Sequence, residues 1–157
     1  MKSIILSILT FFFSVNLIAQ ENEIKITTGF MIVNNNRVQL INLHLPNQAD
    51  NLNKDFQRWM NEQYDYGLDG GKILQIGQNT FSAIGCYIPE VSNRQMDLFM
   101  RARPGHTNGT TIISFYASLG FDTWINDEFH PFEFRSLSAV IKQFAYTYLY
   151  NDFAYNQ

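Results

Sequence analysis

The residues of this chain that could carry out chemistry are few and widely separated. Cys86 is the only cysteine, and none of the three histidines, His44, His106 and His130, has a second histidine near enough in sequence to form a common zinc motif. The chain also lacks the G-x-S-x-G, P-loop and G-x-G-x-x-G motifs that build nucleophile and phosphate sites. The motifs therefore predict no catalytic residue, no metal site and no cofactor.

A catalytic site could still be assembled by folding. Asp97, Arg101, His106 and Cys86 supply a carboxylate, a cation, an imidazole and a thiol, which are groups that hydrolases use. Cys86, however, lies in the apolar stretch TFSAIGCYI, which favours a buried and unreactive thiol. A small envelope enzyme of the hydrolase type, with a site built from these residues, is therefore the alternative to a non-catalytic protein.

The hydrophobic pattern indicates the elements that would position these residues. Alternating apolar residues predict a hairpin at 24–33 and 38–46, closed by asparagines at 34–36. Apolar residues at helical spacing predict helices at 49–64 and from Pro131 to about 151. Further alternating segments predict strands at 72–77, 80–88, 95–102 and 110–120.

The resulting order, ββ-α-ββββ-α, predicts an α+β fold. The connections between the later strands are too short for a parallel crossover, so we expect an antiparallel sheet of about five or six strands. Such a sheet needs one face covered, and the two helices are the elements that can cover it. Residues 20–157 are thus predicted to form a single α+β domain with both helices on one face of the sheet.

The strands predicted at 95–102 and 110–120 carry the candidate ligand surface. One side of each strand is strongly apolar, whereas the other mixes aromatic, charged and hydroxyl side chains. If the two strands pair as a hairpin, the mixed side brings together Asp97, Phe99, Arg101, Ile112, Ser114 and Tyr116. We expect a ligand or partner to bind on this side if it is exposed. The alternatives are an ordinary half-solvated face and a face covered by another element such as the N-terminal hairpin.

Residues 1–19 have the pattern of a secretory signal peptide. Lys2 precedes an apolar run, and Leu17 and Ala19 occupy the positions that a signal peptidase reads. Polar residues interrupt the run, which falls short of the roughly 18 clean apolar residues of a membrane span. We therefore expect cleavage after Ala19, a periplasmic or secreted protein, and no integral membrane span after signal removal.

The stretch from Gly71 to Phe153 resembles a group of small exported proteins of Bacteroidetes-type bacteria. The segments that carry the resemblance are IGCYIP, MDLFMRARPGHTNGTTIISFYASLGFDTWI, FHPFEF and KQFA. In layout the chain is also similar to TATA-binding-protein-like and helix-grip α+β folds, with an additional N-terminal strand. The resemblance covers about half of the chain. It implies an exported α+β protein and implies no activity or substrate.

The composition argues against some classes of partner and favours others. The net charge of −3 argues against nucleic acid and against an anionic membrane, and the aromatic fraction of 15% is high. Surplus aromatic residues at the C-terminal end, Tyr146, Tyr150 and Tyr155, favour a contact with another molecule. The sequence therefore predicts an exported non-catalytic interaction or ligand-binding module whose partner is a protein or a small apolar ligand.

Overall fold

The computed structural model describes residues 24–46, residue 49 and residues 51–149. Over this part of the chain the elements follow the order ββ-α-ββββ-α, which confirms the predicted α+β fold with an antiparallel sheet and two helices. The predicted signal peptide at 1–19, its cleavage site and the aromatic residues after position 149 lie outside the described residues.

The strands and helices begin and end close to the predicted positions. The strands are β1 (Lys25–Val33), β2 (Asn36–Leu45), β3 (Ile73–Gly77), β4 (Thr80–Cys86), β5 (Met96–Pro104) and β6 (Thr111–Ser118). The helices are α1 (Leu52–Tyr64) and α2 (Pro131–Phe144), and α2 continues as a π-helical turn, Ala145–Leu149. Pro131 is the first residue of α2, as predicted, because its missing amide hydrogen would have no helical partner there.

The strands form one six-stranded antiparallel sheet in the order β1-β2-β6-β5-β4-β3. β1 and β2 are joined by a tight turn in which Asn34 and Asn35 have φ of 48° and 65°. A tight hairpin turn needs this left-handed backbone, which asparagine tolerates better than most residues. The pairing of β2 with β6 then places the N-terminal hairpin beside the last strand and makes β6 a central strand.

Both helices pack on the same face of the sheet, which we call the near face. Trp59 of α1 lies 4.6 Å from Phe144 of α2 between ring centroids, and the two rings lie 6.4 and 5.7 Å from Phe115 of β6. The predicted stripe of α2, including Leu137 and Ile141, is buried in the same continuous core. Removal of this apolar surface from water is the main force that holds the helices on the sheet.

Polar groups also join the end of α2 to α1. The Tyr148 hydroxyl donates to Glu62 Oε2 at 2.8 Å and accepts a hydrogen bond from Gln63 Nε2 at 3.2 Å. The guanidinium of Arg58 lies 5.2 Å from the centroid of the Tyr148 ring. The π-helical turn that contains Tyr148 is therefore fixed against α1.

Candidate ligand-binding surface

The face of the sheet turned away from α1 and α2, which we call the far face, carries the predicted surface. Directly paired residues on neighbouring strands project to the same side. The register aligns Leu74 (β3), Ser82 (β4), Phe99 (β5) and Tyr116 (β6) in one line across the sheet, which we call the aromatic row. Three strand spacings make this row about 14 Å long.

Three rings pack together at the β6 end of the aromatic row. Phe99 and Tyr116 are stacked, with centroids 4.9 Å apart and an interplanar angle of 8°. Trp124 lies 5.8 Å from Phe99 and 5.9 Å from Tyr116 between ring centroids. Val38 and Leu40 of β2 complete the cluster, in which Tyr116 is 6% exposed. This burial raises the pKa of the Tyr116 hydroxyl.

Trp124 reaches this cluster because the chain folds back after β6. We call residues 119–125 the strap. Trp124 of the strap pairs with Ser118 of β6 in an isolated antiparallel β-bridge, and the Ile125 N–H donates to the Ala117 carbonyl at 2.9 Å. Alternation along the strap then directs Ile125 into the near-face core and Trp124 to the far face.

The turn of the strap has an unusual backbone. Gly120, Phe121 and Asp122 have φ of 89°, 51° and 57°. For residues other than glycine this left-handed region costs about 1–3 kcal/mol each. The Leu119 N–H donates to the Thr123 carbonyl at 2.8 Å and the Thr123 N–H to the Gly120 carbonyl at 3.0 Å, while the Phe121 side chain is fully exposed. Strained backbone of this kind is concentrated at functional sites.

The structure shows how much of the predicted surface is exposed. Three predicted residues are buried rather than exposed, at 2%, 3% and 6% of their maximum: Ile112, Ser114 and Tyr116. Neighbouring strands enclose the first two on both sides, and Trp124 covers the third. Of the other predicted residues, Arg101 is exposed, while Asp97 and Phe99 are half-buried. The accessible part of the predicted surface is therefore Arg101 with the partly covered Phe99 and Asp97.

A polar row lies next to the aromatic row. It consists of Thr80 (β4), Arg101 (β5), Ser114 (β6) and Asn42 (β2), paired in register. The Ser114 hydroxyl donates to Asn42 Oδ1 at 2.6 Å, which is a buried hydrogen bond between two strands. Arg101 has no ion pair among the described residues, so its charge remains available to a ligand.

Asp97 stabilises a β-bulge in β4, where the pairing of β4 with β5 is irregular. Its Oδ1 accepts a hydrogen bond from the Gly85 N–H at 2.8 Å. Gly85 lies where the pairing of β4 with β5 shifts register, between Ala83 and Cys86, and its φ is 66°. A bulged residue loses its ladder partner, so the Asp97 carboxylate supplies the missing acceptor. The hydrogen bond to Gly85 gives the Asp97 side chain a structural role.

The structure does not bring together the four residues of the alternative enzyme site. Cys86 faces the near-face core, where its thiol donates to the Met96 carbonyl at 3.3 Å, and burial raises its pKa to about 12. Asp97 and Arg101 lie on the far face at a separation of about 13 Å along the same strand. His106 lies beyond the end of β5, in the hairpin tip.

The sequence did not predict several residues that complete the surface. Leu74, Ser82 and Ile84 join the far face because β3 and β4 pair beside β5, and Leu74 and Ile84 are 47% and 46% exposed. Alternation within β3 and β4 marks these residues once the pairing partners are known. Trp124 carries no such signal, since it follows β6 in a segment with no regular pattern.

Two buried polar atoms beside Phe99 have no hydrogen-bond partner in the part of the chain that the structure describes. They are Ser82 Oγ and Trp124 Nε1. A buried polar group without a partner costs about 1–3 kcal/mol. The far-face cluster is therefore less completely satisfied than a purely structural core would be.

No protein-family model, curated protein or solved structure matches this chain. Within residues 24–46, 49 and 51–149, no group of three or more His, Cys, Asp or Glu side chains is placed to hold a metal ion. The helices among these residues are too short or too polar to cross a membrane.

Proposed function

We propose that this chain is an exported, non-catalytic binding module that recognises its partner through the far face. The observation that carries the proposal is the aromatic row. Leu74 and Phe99 extend the cluster of Tyr116 and Trp124 toward the β3 edge, and Leu74 is 47% exposed. Exposed or half-buried apolar side chains on a sheet face, here Leu74 and Phe99 on either side of Ser82, are characteristic of an interaction site.

The dimensions of the surface favour a partner protein. Small-molecule sites are concave, whereas the aromatic row spans about 14 Å of a sheet face. The exposed Phe121 ring lies on the same strap as Trp124, three residues before it. Aromatic anchors surrounded by polar groups such as Arg101 are the usual energetic centre of a protein interface.

Binding without catalysis is favoured by the separation of the reactive groups. The Cys86 thiol is buried with a pKa of about 12, so almost none of it is the reactive thiolate at neutral pH. Asp97 is occupied by its hydrogen bond to Gly85. The thiol therefore lacks the activation and the accessibility that a nucleophile requires, and one carboxylate oxygen of Asp97 is committed to the backbone of β4.

Export is inferred from the sequence of residues 1–19 and has its own test. The intact mass of protein recovered from the envelope and medium of producing cells should correspond to a chain beginning at Gln20, because Ala19 is the small residue that a signal peptidase would read. Recovery of envelope protein that retains Met1 would contradict a cleaved leader and favour a membrane anchor.

Site-specific photo-crosslinking tests the surface. A photoreactive amino acid would replace Leu74 or Ile84 on the far face, or Leu68, which is 79% exposed in the loop after α1, as the control. In producing cells we expect adducts of defined mass from the two far-face positions and none from the control. Adding Phe99→Ala should reduce both adducts, because this change removes the central ring of the row.

Each result has a clear meaning for the proposal. Equal labelling at the control, or no defined adduct from the far face, would contradict it. A defined adduct of only a few hundred daltons would replace the partner protein with a small apolar ligand, while a protein adduct that Phe99→Ala abolishes would support the proposal as stated.

A further inference from the structure

A cavity of about 290 Å³ lies at the end of the far face that is remote from the strap, beside the β5–β6 hairpin tip. Its polar lining includes Lys25, His44, His106, Thr107 and Thr110. No aspartate or glutamate lines it among the described residues. In a chain with a net charge of −3, this cavity concentrates basic groups without a neutralising partner.

A basic row runs beside the cavity, parallel to the aromatic and polar rows. It consists of Arg103 (β5), Ile112 (β6), His44 (β2) and Lys25 (β1), paired in register. With strands about 4.8 Å apart, Lys25 is the immediate neighbour of His44 and Arg103 lies about 10 Å away. The far face therefore changes from aromatic at one end to basic at the other.

His44 is oriented by a neighbour on β1. Its Nε2 lies 2.8 Å from Thr27 Oγ1, and the described contacts give its Nδ1 no partner. Burial lowers the pKa of His44, and the charges of Lys25, Arg103 and His106 lower it further. All three of these charges oppose protonation of His44, so an anion placed among them would favour the protonated ring.

The hairpin tip is held in one conformation by its own hydrogen bonds. The Gly105 N–H donates to the Thr110 carbonyl at 2.9 Å, and the Thr110 N–H and hydroxyl both donate to the Thr107 carbonyl, at 3.1 and 2.6 Å. A Cβ at Gly105 would collide with the Thr110 side chain, so glycine is required there. These bonds fix His106 at the cavity and leave the Thr107 hydroxyl available as a donor.

We propose that this cavity binds a small oxoanion, such as sulfate or the phosphate group of a small phosphate monoester. Lys25 supplies positive charge, the imidazole rings of His44 and His106 supply N–H donors, and Thr107 supplies a hydroxyl donor. A tetrahedral dianion accepts several charge-assisted hydrogen bonds at once, which matches this set of donors. Ligand cavities span about 300–1,000 Å³, so this one suits an anion with little attached to it.

The proposal stands apart from the proposed function, because it rests on residues at the opposite end of the far face from the strap. It also predicts how the affinity for sulfate changes with pH. Burial and neighbouring positive charges lower the pKa of His44, so its ring gains a proton only toward the acidic end of a titration from about pH 8 to pH 5, whereas sulfate remains a dianion throughout. Binding of sulfate should therefore tighten as the pH falls.

Titration of the protein with sulfate, followed by NMR of the histidine ring protons, tests the site. At acidic pH the resonances of His44 and His106 should shift, while those of His130, which precedes α2, should not. Lys25→Gln and His44→Gln should each weaken binding roughly ten-fold, since each removes a charged donor. Lys54→Gln, on the exposed side of α1, should leave it unchanged.

Lys25 is exposed, so Lys25→Gln keeps the fold intact even if His44→Gln does not. The proposal is overturned if millimolar sulfate shifts neither histidine, if its affinity is the same at both ends of the pH range, or if Lys54→Gln weakens binding as much as Lys25→Gln. Binding to vesicles of phosphatidylglycerol distinguishes a lipid surface from a small anion. Lys25-dependent binding to vesicles without binding of sulfate or glycerol phosphate would replace the small anion with a lipid surface.

Discussion

The near and far faces of the sheet are built from alternate residues of the same strands, yet they differ in what covers them. On β6 the near-face residues are fully buried under the helices: Ile113, Phe115 and Ala117. The far-face residues of β6 are also buried, but by neighbouring strands and one strap residue, Trp124. Burial alone therefore does not separate a structural face from a binding face.

The composition of the two faces distinguishes the structural face from the binding face. The near face carries one continuous apolar core with rings contributed by both helices. The far face changes along the strands from an aromatic row to a polar row and then to a basic row. A packed core gains nothing from such a gradient, whereas a recognition surface needs different chemistry at different positions.

The near face should give the largest stability effect. Phe144→Ala removes a fully buried ring that contacts Trp59 and Phe115, so unfolding in denaturant should show a loss of about 3–5 kcal/mol. Phe132→Ala in the same helix is the control, because that ring is 69% exposed and its loss should change stability by less than about 0.5 kcal/mol. Equal effects of the two variants would contradict the assignment of the near face.

The far face should give a graded response that the near face does not. Tyr116→Ala should cost about 2–4 kcal/mol, because it removes a buried ring stacked on Phe99 and packed against Trp124. Phe99→Ala should cost less, since Phe99 is half-buried, and Arg101→Ala should change stability by no more than about 0.5 kcal/mol. Thermal melts that show the same loss for all three would mean that the face is an ordinary core.

The fold could be predicted because its signals are local. Alternation of apolar residues identified the strands, and the helical spacing of Leu137, Ile141 and Phe144 identified the stripe of α2 that packs on the near face. Pro131 marked the start of that helix. Each of these signals depends on residues a few positions apart, so no knowledge of the tertiary structure is needed to detect them.

The details of the far face could not be predicted because they depend on distant parts of the chain. The burial of Ile112 and Ser114 follows from the pairing of β6 with β2, which lies about 70 positions earlier in the sequence. Such a register is fixed by the whole sheet rather than by local propensity. The strap is also hidden from sequence patterns, because Phe121 and Asp122 adopt a left-handed backbone that their side chains disfavour.

Asp97 offers a test of a far-face residue that acts through the backbone. Asp97→Ala should destabilise the protein by about 1–3 kcal/mol, because the part-buried Gly85 N–H loses its charged acceptor. Asp97→Asn keeps a side-chain oxygen and should lose less. Amide hydrogen exchange would localise the effect to Gly85 and its neighbours, and unchanged protection there would show that the carboxylate does not hold the bulge.

Trp124→Phe should have a net effect close to zero because two larger contributions oppose each other, and it sharpens the comparison most. Trp124 Nε1 is buried without a partner among the described residues, which costs about 1–3 kcal/mol. Phenylalanine removes that atom but also loses part of the ring contact with Phe99 and Tyr116. The two changes oppose each other, so the net change in unfolding free energy should lie within about 1 kcal/mol of zero.

Trp124→Ala is the matched control, because it removes the unpaired atom together with the whole ring and should therefore be clearly destabilising. Denaturant unfolding of both variants separates the two contributions. If Trp124→Phe destabilised the protein as much as Trp124→Ala, the indole N–H would have to have a hydrogen-bond partner. The buried polar atoms of the far face would then be as fully hydrogen-bonded as those of the near face. A near-neutral Trp124→Phe leaves the unpaired indole beside Phe99 as a place where the far face sacrifices stability, as recognition surfaces do.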